Sequence, residues 1–256
     1  MFTDLATGRP HRAAVVALAG LVGALALVAA QGARAGAGVS TAFPVDHYAC
    51  YPAHLAGGKR PQVTLKNQFG SGVATPATPA TLCAPADKNG GGIINKSSHL
   101  TCFTLTGVQW PSGFRHVSIS NQFGVGQKMT VTLNPVSLCA PSSKVGVGVA
   151  PPPVPTKPDH YLCFPVDAGS FAPRQVSLAD QFGTSTDTVV AARTLCVPTS
   201  KNGSPFVQPK VHLLCYALKS TTVGHAVVVR NQFGILNGAI GKRSSLCVPS
   251  LKRVLS

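Results

Sequence analysis

Four times along the chain, a run of residues alternates between apolar and polar and then ends on a glycine. In the first run Val63, Leu65, Asn67 and Phe69 interleave with Gln62, Thr64, Lys66 and Gln68 before Gly70. The others place Val117, Ile119, Asn121 and Phe123 before Gly124; Val176, Leu178, Asp180 and Phe182 before Gly183; and Val227, Val229, Asn231 and Phe233 before Gly234. A period of two, rich in branched side chains, predicts a strand with one buried face, and the glycine predicts its turn. Ahead of each run stands a His-x-x-Cys-aromatic stretch, beginning at His47, His99, His160 and His212, which predicts a second strand. Residues 130–133 with 136–139 suggest a third, running into a closing cysteine. Helical periodicity is absent after the N-terminal segment. With 26 glycines and 21 prolines punctuating short strands, the predicted fold class is all-β, as sandwiches or open barrels built from paired repeats.

The N-terminal segment follows another rule. Arg9, His11 and Arg12 precede an uncharged apolar run over residues 13–30, and Ala33-Arg34-Ala35 supplies a small-residue cleavage pattern. Residues 1–35 are therefore expected to be a secretory signal peptide. The rival reading is an uncleaved anchor, since the run is long enough to span a bilayer. With the signal cleaved, no later segment is expected to span a membrane.

Each repeat closes on Leu-Cys-x-Pro-x-x-Lys, starting at Leu82, Leu138, Leu195 and Leu246. First cysteines are spaced 52, 61 and 52 residues apart, and the longer middle interval holds prolines 151, 152, 153, 155 and 158. Repeats one and three share Asp-His-Tyr before the first cysteine, and repeats two and four share His-Leu. The order reads A-B, linker, A-B. It predicts a first domain over residues 36–146, a stiff Pro-rich linker over 147–158 and a second domain over 159–256.

Eight cysteines, none in a Cys-x-x-Cys pair, suit a disulfide framework in an exported chain better than a metal or redox site. Repeat symmetry favours Cys50 with Cys83, Cys102 with Cys139, Cys163 with Cys196 and Cys215 with Cys247. Each bridge would close a loop of roughly 30 residues and restrict the unfolded chain by roughly 3 to 4 kcal/mol. A symmetric rival joins Cys83 to Cys102 and Cys196 to Cys215, leaving the outer pairs to close each domain.

Charge narrows the choice of partners. The chain carries 22 lysines and arginines against 7 acidic residues, all of them aspartates. Beyond residue 35 the balance is 19 to 6, a net charge of +13. Lys88, Lys144, Lys201 and Lys252 share one offset from their closing cysteines, which makes them candidates for a repeated anion-binding stripe, with Lys242-Arg243 and Lys252-Arg253 adding to it. A solvated surface lysine is the plainer alternative. Stacking aromatics are sparse, so nucleic acid is not an expected partner. An anionic polysaccharide or envelope polymer is.

Catalytic chemistry has few carriers. Without glutamate, acid–base candidates are confined to the aspartates and histidines, and Gly-x-Ser-x-Gly, His-Glu-x-x-His and phosphate-loop patterns are missing. One histidine per repeat, with no local His-x-His spacing, argues for structural imidazoles beside an aromatic rather than metal ligands. No metal or cofactor is expected. Asn67, Asn121, Asp180 and Asn231 lie on the apolar side of their strands, so each needs a partner. Turn backbone at Gly70, Gly124, Gly183 and Gly234 is the economical one, and the change to Asp180 keeps the acceptor such a contact uses. That puts any working surface on the opposite side, at Gln68, Gln122, Gln181, Gln232 and the lysines after each closing cysteine.

These motifs, from His47 to Lys252, resemble an uncharacterised family of secreted bacterial tandem-repeat proteins, a domain of unknown function. The closest matches run from Leu82 to Gly90 and from Leu246 to Lys252. The resemblance implies membership and no assigned catalytic or ligand residues. The expected function is that of an exported, non-enzymatic binding or structural module of the cell envelope or extracellular space. The alternative is an extracellular enzyme or inhibitor acting through residues 88–98 or 201–210.

Overall fold

The computed structural model describes residues 43–255 and is all-β. The expected signal peptide and its apolar run lie outside the described residues. Repeat one supplies β1 (His47–Gly57), β2 (Val63–Asn67) and β3 (Gly70–Lys88). Repeat two supplies β4 (His99–Gln109), β5 (Phe114–Asn121), β6 (Gly124–Thr132) and β7 (Ser137–Val145). Repeat three supplies β8 (His160–Asp167), β9 (Arg174–Asp180) and β10 (Gly183–Lys201). Repeat four supplies β11 (His212–Lys219), β12 (His225–Asn231), β13 (Gly234–Ile240) and β14 (Ser245–Val254). The A repeats run their last strand unbroken for 19 residues. The B repeats interrupt it, in repeat two at Asn134-Pro135, where proline lacks the N–H a ladder needs.

Eight strands close a ring in the order β1, β3, β4, β7, β8, β10, β11, β14 and back to β1, every pairing antiparallel. Within each repeat the His-x-x-Cys strand pairs with the closing strand so that the two cysteines stand opposite one another. The bridges are Cys50–Cys83, Cys102–Cys139, Cys163–Cys196 and Cys215–Cys247, with Cα atoms 3.8 to 4.0 Å apart.

Alternation sends every second ring residue inward. Tyr48, Leu100, Tyr161 and Leu213 form one inner layer and the eight cysteines the next, all buried. The opposite face of the ring carries the larger core, which includes Leu82, Leu138, Leu195 and Leu246 from the closing motifs. That core is covered by four hairpins, β2–β3, β5–β6, β9–β10 and β12–β13, each turning at the Asn-Gln-Phe-Gly motif or its Asp variant.

The hairpins do not stay with their own half of the chain. β2 pairs with β10, β5 with β14, β9 with β3 and β12 with β7, so each reaches the repeat diagonally across the ring. The two-domain expectation with a boundary at residues 147–158 is therefore corrected, because the described residues fall in one compact unit. Strand pairs such as β7–β8 and β1–β14 join the two A-B halves directly. The Pro-rich stretch is tied down rather than spacing domains: Ser143 Oγ donates to Pro152 O at 2.6 Å and Ser98 Oγ to Lys157 O at 3.1 Å.

Candidate functional site

At each hairpin tip the side chain at the Asn position closes a local turn. Asn67, Asn121, Asp180 and Asn231 each accept, through Oδ1, the N–H of the phenylalanine two residues on, at 2.8 Å in all four copies. The glycine that follows has a positive φ in three copies, +147° at Gly70, +132° at Gly183 and +117° at Gly234, which a side chain would strain. Gly124 is not among the positive-φ residues.

The tip then docks on two other repeats. Its phenylalanine meets, edge to face, the aromatic that follows the first cysteine of the diagonal repeat: Phe69 on Phe164 at 5.3 Å, Phe123 on Tyr216 at 4.9 Å, Phe182 on Tyr51 at 5.0 Å and Phe233 on Phe103 at 5.0 Å. Such pairs add about 0.5 to 1.5 kcal/mol beyond the area they bury. Asn67 Nδ2 donates to Thr199 Oγ1 at 3.1 Å, and Asn121 Nδ2 to Ser250 Oγ and Tyr216 OH at 3.0 Å each. The diagonal repeat offers a hydroxyl three residues after its closing cysteine in both cases. At the corresponding place facing Asp180 stands Ala86, which has none.

Asp180 is held differently, and this explains its departure from asparagine. Its Oδ2 accepts Tyr51 OH at 2.6 Å and pairs with Arg243 Nη2 at 3.1 Å. Arg243 is 1% exposed and also holds Asp187 at 2.8 Å and Ser185 Oγ at 2.7 Å. Burial opposes the guanidinium charge, but the hydrogen bond to Asp187 and the nearby Asp180 charge outweigh it and raise its pKa. Both ion pairs found among the described residues belong to Arg243. Nothing in the repeat pattern marks it. Its place in the expected basic stripe is corrected: it is an internal counterion.

The preceding repeat supplies the second docking surface. Gln68, Gln122, Gln181 and Gln232 place Nε2 against the Nε2 of His212, His47, His99 and His160, in the last pair at 2.8 Å. The amide donates, so the imidazole accepts and is neutral at this nitrogen. Nδ1 of His99 and His212 in turn donates to the backbone O of Ser97 and Lys210, both at 3.2 Å. Burial lowers all four histidines, His47, His99 and His160 to about 4 and His212 to about 3.

The four closing lysines belong to the same clusters. Lys88, Lys144, Lys201 and Lys252 lie 5.2, 4.1, 5.9 and 4.5 Å over the rings of Phe123, Phe182, Phe233 and Phe69. Lys144 and Lys252 also donate to Oε1 of Gln181 and Gln68, at 3.0 and 2.7 Å. Burial lowers the pKa of all four, Lys252 to about 8. The lysines and glutamines expected on a working surface thus make contacts between repeats, with Gln68, Gln181 and Gln232 exposed and the four lysines half-buried. Each equivalent His, Lys, Gln and Phe comes together, but as a clamp.

Two segments named as catalytic alternatives are also fastened. Asp46 accepts the N–H groups of Ile94 and Asn95 at 2.6 and 3.0 Å, and Asp159 those of Val207 and Gln208 at 2.7 and 2.6 Å. Of the six aspartates in the described residues, Asp46, Asp159 and Asp187 are buried and the side chain of Asp180 is enclosed, so four are committed. Among the described residues Asp167 is the single exposed carboxylate, against twelve exposed lysines and arginines.

Repeated disulfide-linked strands closing on one another define an all-β tandem-repeat protein. The repeat of unknown function DUF7450 matches residues 99–249, more than half of the chain, and the chain belongs to that family. The match begins at His99 and takes in repeats two to four, and repeat one carries the same motifs. No curated protein and no solved structure matches the chain.

Proposed function

We propose that this is an exported, non-enzymatic module that presents a cationic β surface to an anionic polymer of the envelope or extracellular space. One observation carries the reading. Four of the six carboxylates in the described residues are drawn inside, to Arg243 and to loop backbone, while Lys59, Lys66, Lys96, Arg115, Lys128, Lys157, Arg174, Arg193, Lys210, Lys219, Lys242 and Arg253 stay exposed. A surface of one sign attracts a polyanion over about a Debye length, roughly 8 Å at physiological salt. Four disulfides and the absence, among the described residues, of a helix apolar and long enough to cross a membrane are compatible with export. The contact surface in this reading is the set of exposed cations, with the four closing lysines serving the fold.

The test is retention of the folded protein on an immobilised sulfated polysaccharide along a salt gradient. Replacing six of the exposed lysines by glutamine should lower the eluting salt in steps while melting stays unchanged. Elution insensitive to both salt and substitution would reject the reading.

A further inference from the structure

The ring brings sulfurs of different repeats as close as the bridges permit. Cys50 Sγ lies 3.6 Å from Cys247 Sγ, Cys139 Sγ 3.6 Å from Cys163 Sγ, and Cys196 Sγ 3.8 Å from Cys215 Sγ. All eight line one cavity of ≈ 90 Å³. One end of it is lined by the buried Leu100, Tyr161 and Leu213. The other is rimmed by Thr81, Ser137, Thr194 and Ser245, half-buried hydroxyl residues whose strand partners include the exposed Pro52 and Thr104. Sulfur therefore forms the floor of a small polar mouth.

We propose that the eight cysteines form a thiol–disulfide exchange belt, entered at this mouth by a low-molecular-weight thiol. Exchange needs a thiolate within reach of a disulfide sulfur and a leaving sulfur beyond it. The ring supplies both at successive junctions. A small thiolate attacking one bridge forms a mixed disulfide and releases a cysteine thiolate. If Cys139 is the one released, its Sγ attacks Cys163 Sγ, a Cys139–Cys163 bond forms, the Cys163–Cys196 bond breaks and the electron pair leaves on Cys196. Cys196 then attacks Cys215 and expels Cys247, and Cys247 attacks Cys50 and expels Cys83. Each step exchanges one S–S bond for another, so nothing is oxidised or reduced on balance, and the proton lost by the attacking thiol is regained at the leaving sulfur. The mixed disulfide can sit in one repeat while the free thiol emerges in another.

This activity is independent of the polymer surface, and one full-length variant tests it. Cys102→Ser strands a single thiol on Cys139. After incubation near pH 8.5, about the pKa of a free cysteine, the chain is alkylated, quenched with acid and mapped by mass without reduction. Label should spread over Cys139, Cys196, Cys247 and Cys83 alone, accompanied by new Cys139–Cys163, Cys196–Cys215 and Cys50–Cys247 bridges. Label confined to Cys139, or appearing equally on Cys50, Cys163 and Cys215, overturns the proposal. Should the variant fail to fold, the native chain treated with less than one equivalent of glutathione should yield the same three junction bridges. Recovery of native bridges alone overturns it equally.

Discussion

Acid should loosen the ring through its four histidines. In the folded chain His47, His99 and His160 are held near 4 and His212 near 3, chiefly by burial, whereas in the unfolded chain they return to about 6.5. The unfolded state therefore binds more protons below pH 6.5. Stability is fully present above that value, falls as pH drops through it, and goes on falling to about pH 4. Between 7.5 and 5.0 the loss is about 1.5 pH units at 1.36 kcal/mol each, so about 2 kcal/mol per histidine. The clusters stand in four separate places, and four such losses add to about 8 kcal/mol, comparable with the whole stability of an ordinary domain. Protonation also turns each Nε2 into a donor facing the donor of its glutamine, so the docking bond is lost with the charge gained. Burial raises Asp46 and works the other way, toward the carboxylate range. Lys252, lowered by burial to about 8, acts above that pH. The assay is denaturant unfolding without reductant at pH 7.5, 6.5, 5.5 and 5.0, repeated at 0.5 M salt to screen surface repulsion, alongside imidazole titration by NMR. A midpoint that stays level down to pH 5.0, or the imidazoles of His47, His99, His160 and His212 titrating near 6.5, would refute the argument.

Three further outcomes follow from the clamps. Arg243→Met leaves Asp180 and Asp187 buried without a counterion and should cost about 3 to 5 kcal/mol in denaturant unfolding; adding Asp180→Asn and Asp187→Asn should recover most of it. Asn67→Asp keeps the acceptor for the Phe69 N–H but loses the bond to Thr199, so it should fold with a modestly lower midpoint. Asn67→Leu orphans both partners and should cost about 1 to 3 kcal/mol more, and equal melting of the two would contradict the turn's role. Lys252→Met removes the cation over Phe69 and should lower thermal stability by about 0.5 to 2 kcal/mol while leaving polysaccharide retention as it was; the reverse pattern would return that lysine to the binding surface.

Strands, turns and repeat boundaries were legible in the sequence because their causes are local. Alternation through Val63, Leu65, Asn67 and Phe69 fixes which side of a strand is buried, and Gly70 or Gly183 fixes where the chain turns, whatever the strand then meets. Eight cysteines in four equal parts likewise limited the bridges to a few symmetric sets. Partner choice was not legible. A buried face states that it must be covered and says nothing about by what, so the diagonal exchange that sends β2 to β10 and β9 to β3 was decided only in three dimensions. The same exchange brought Gln68, Lys88 and their counterparts from an expected surface into contacts between repeats, since another repeat comes to lie beside the outward side of their strands. Arg243 shows the limit most plainly. It sits outside the repeat frame, and its role exists only because folding places it between two carboxylates 63 and 56 residues away in the chain.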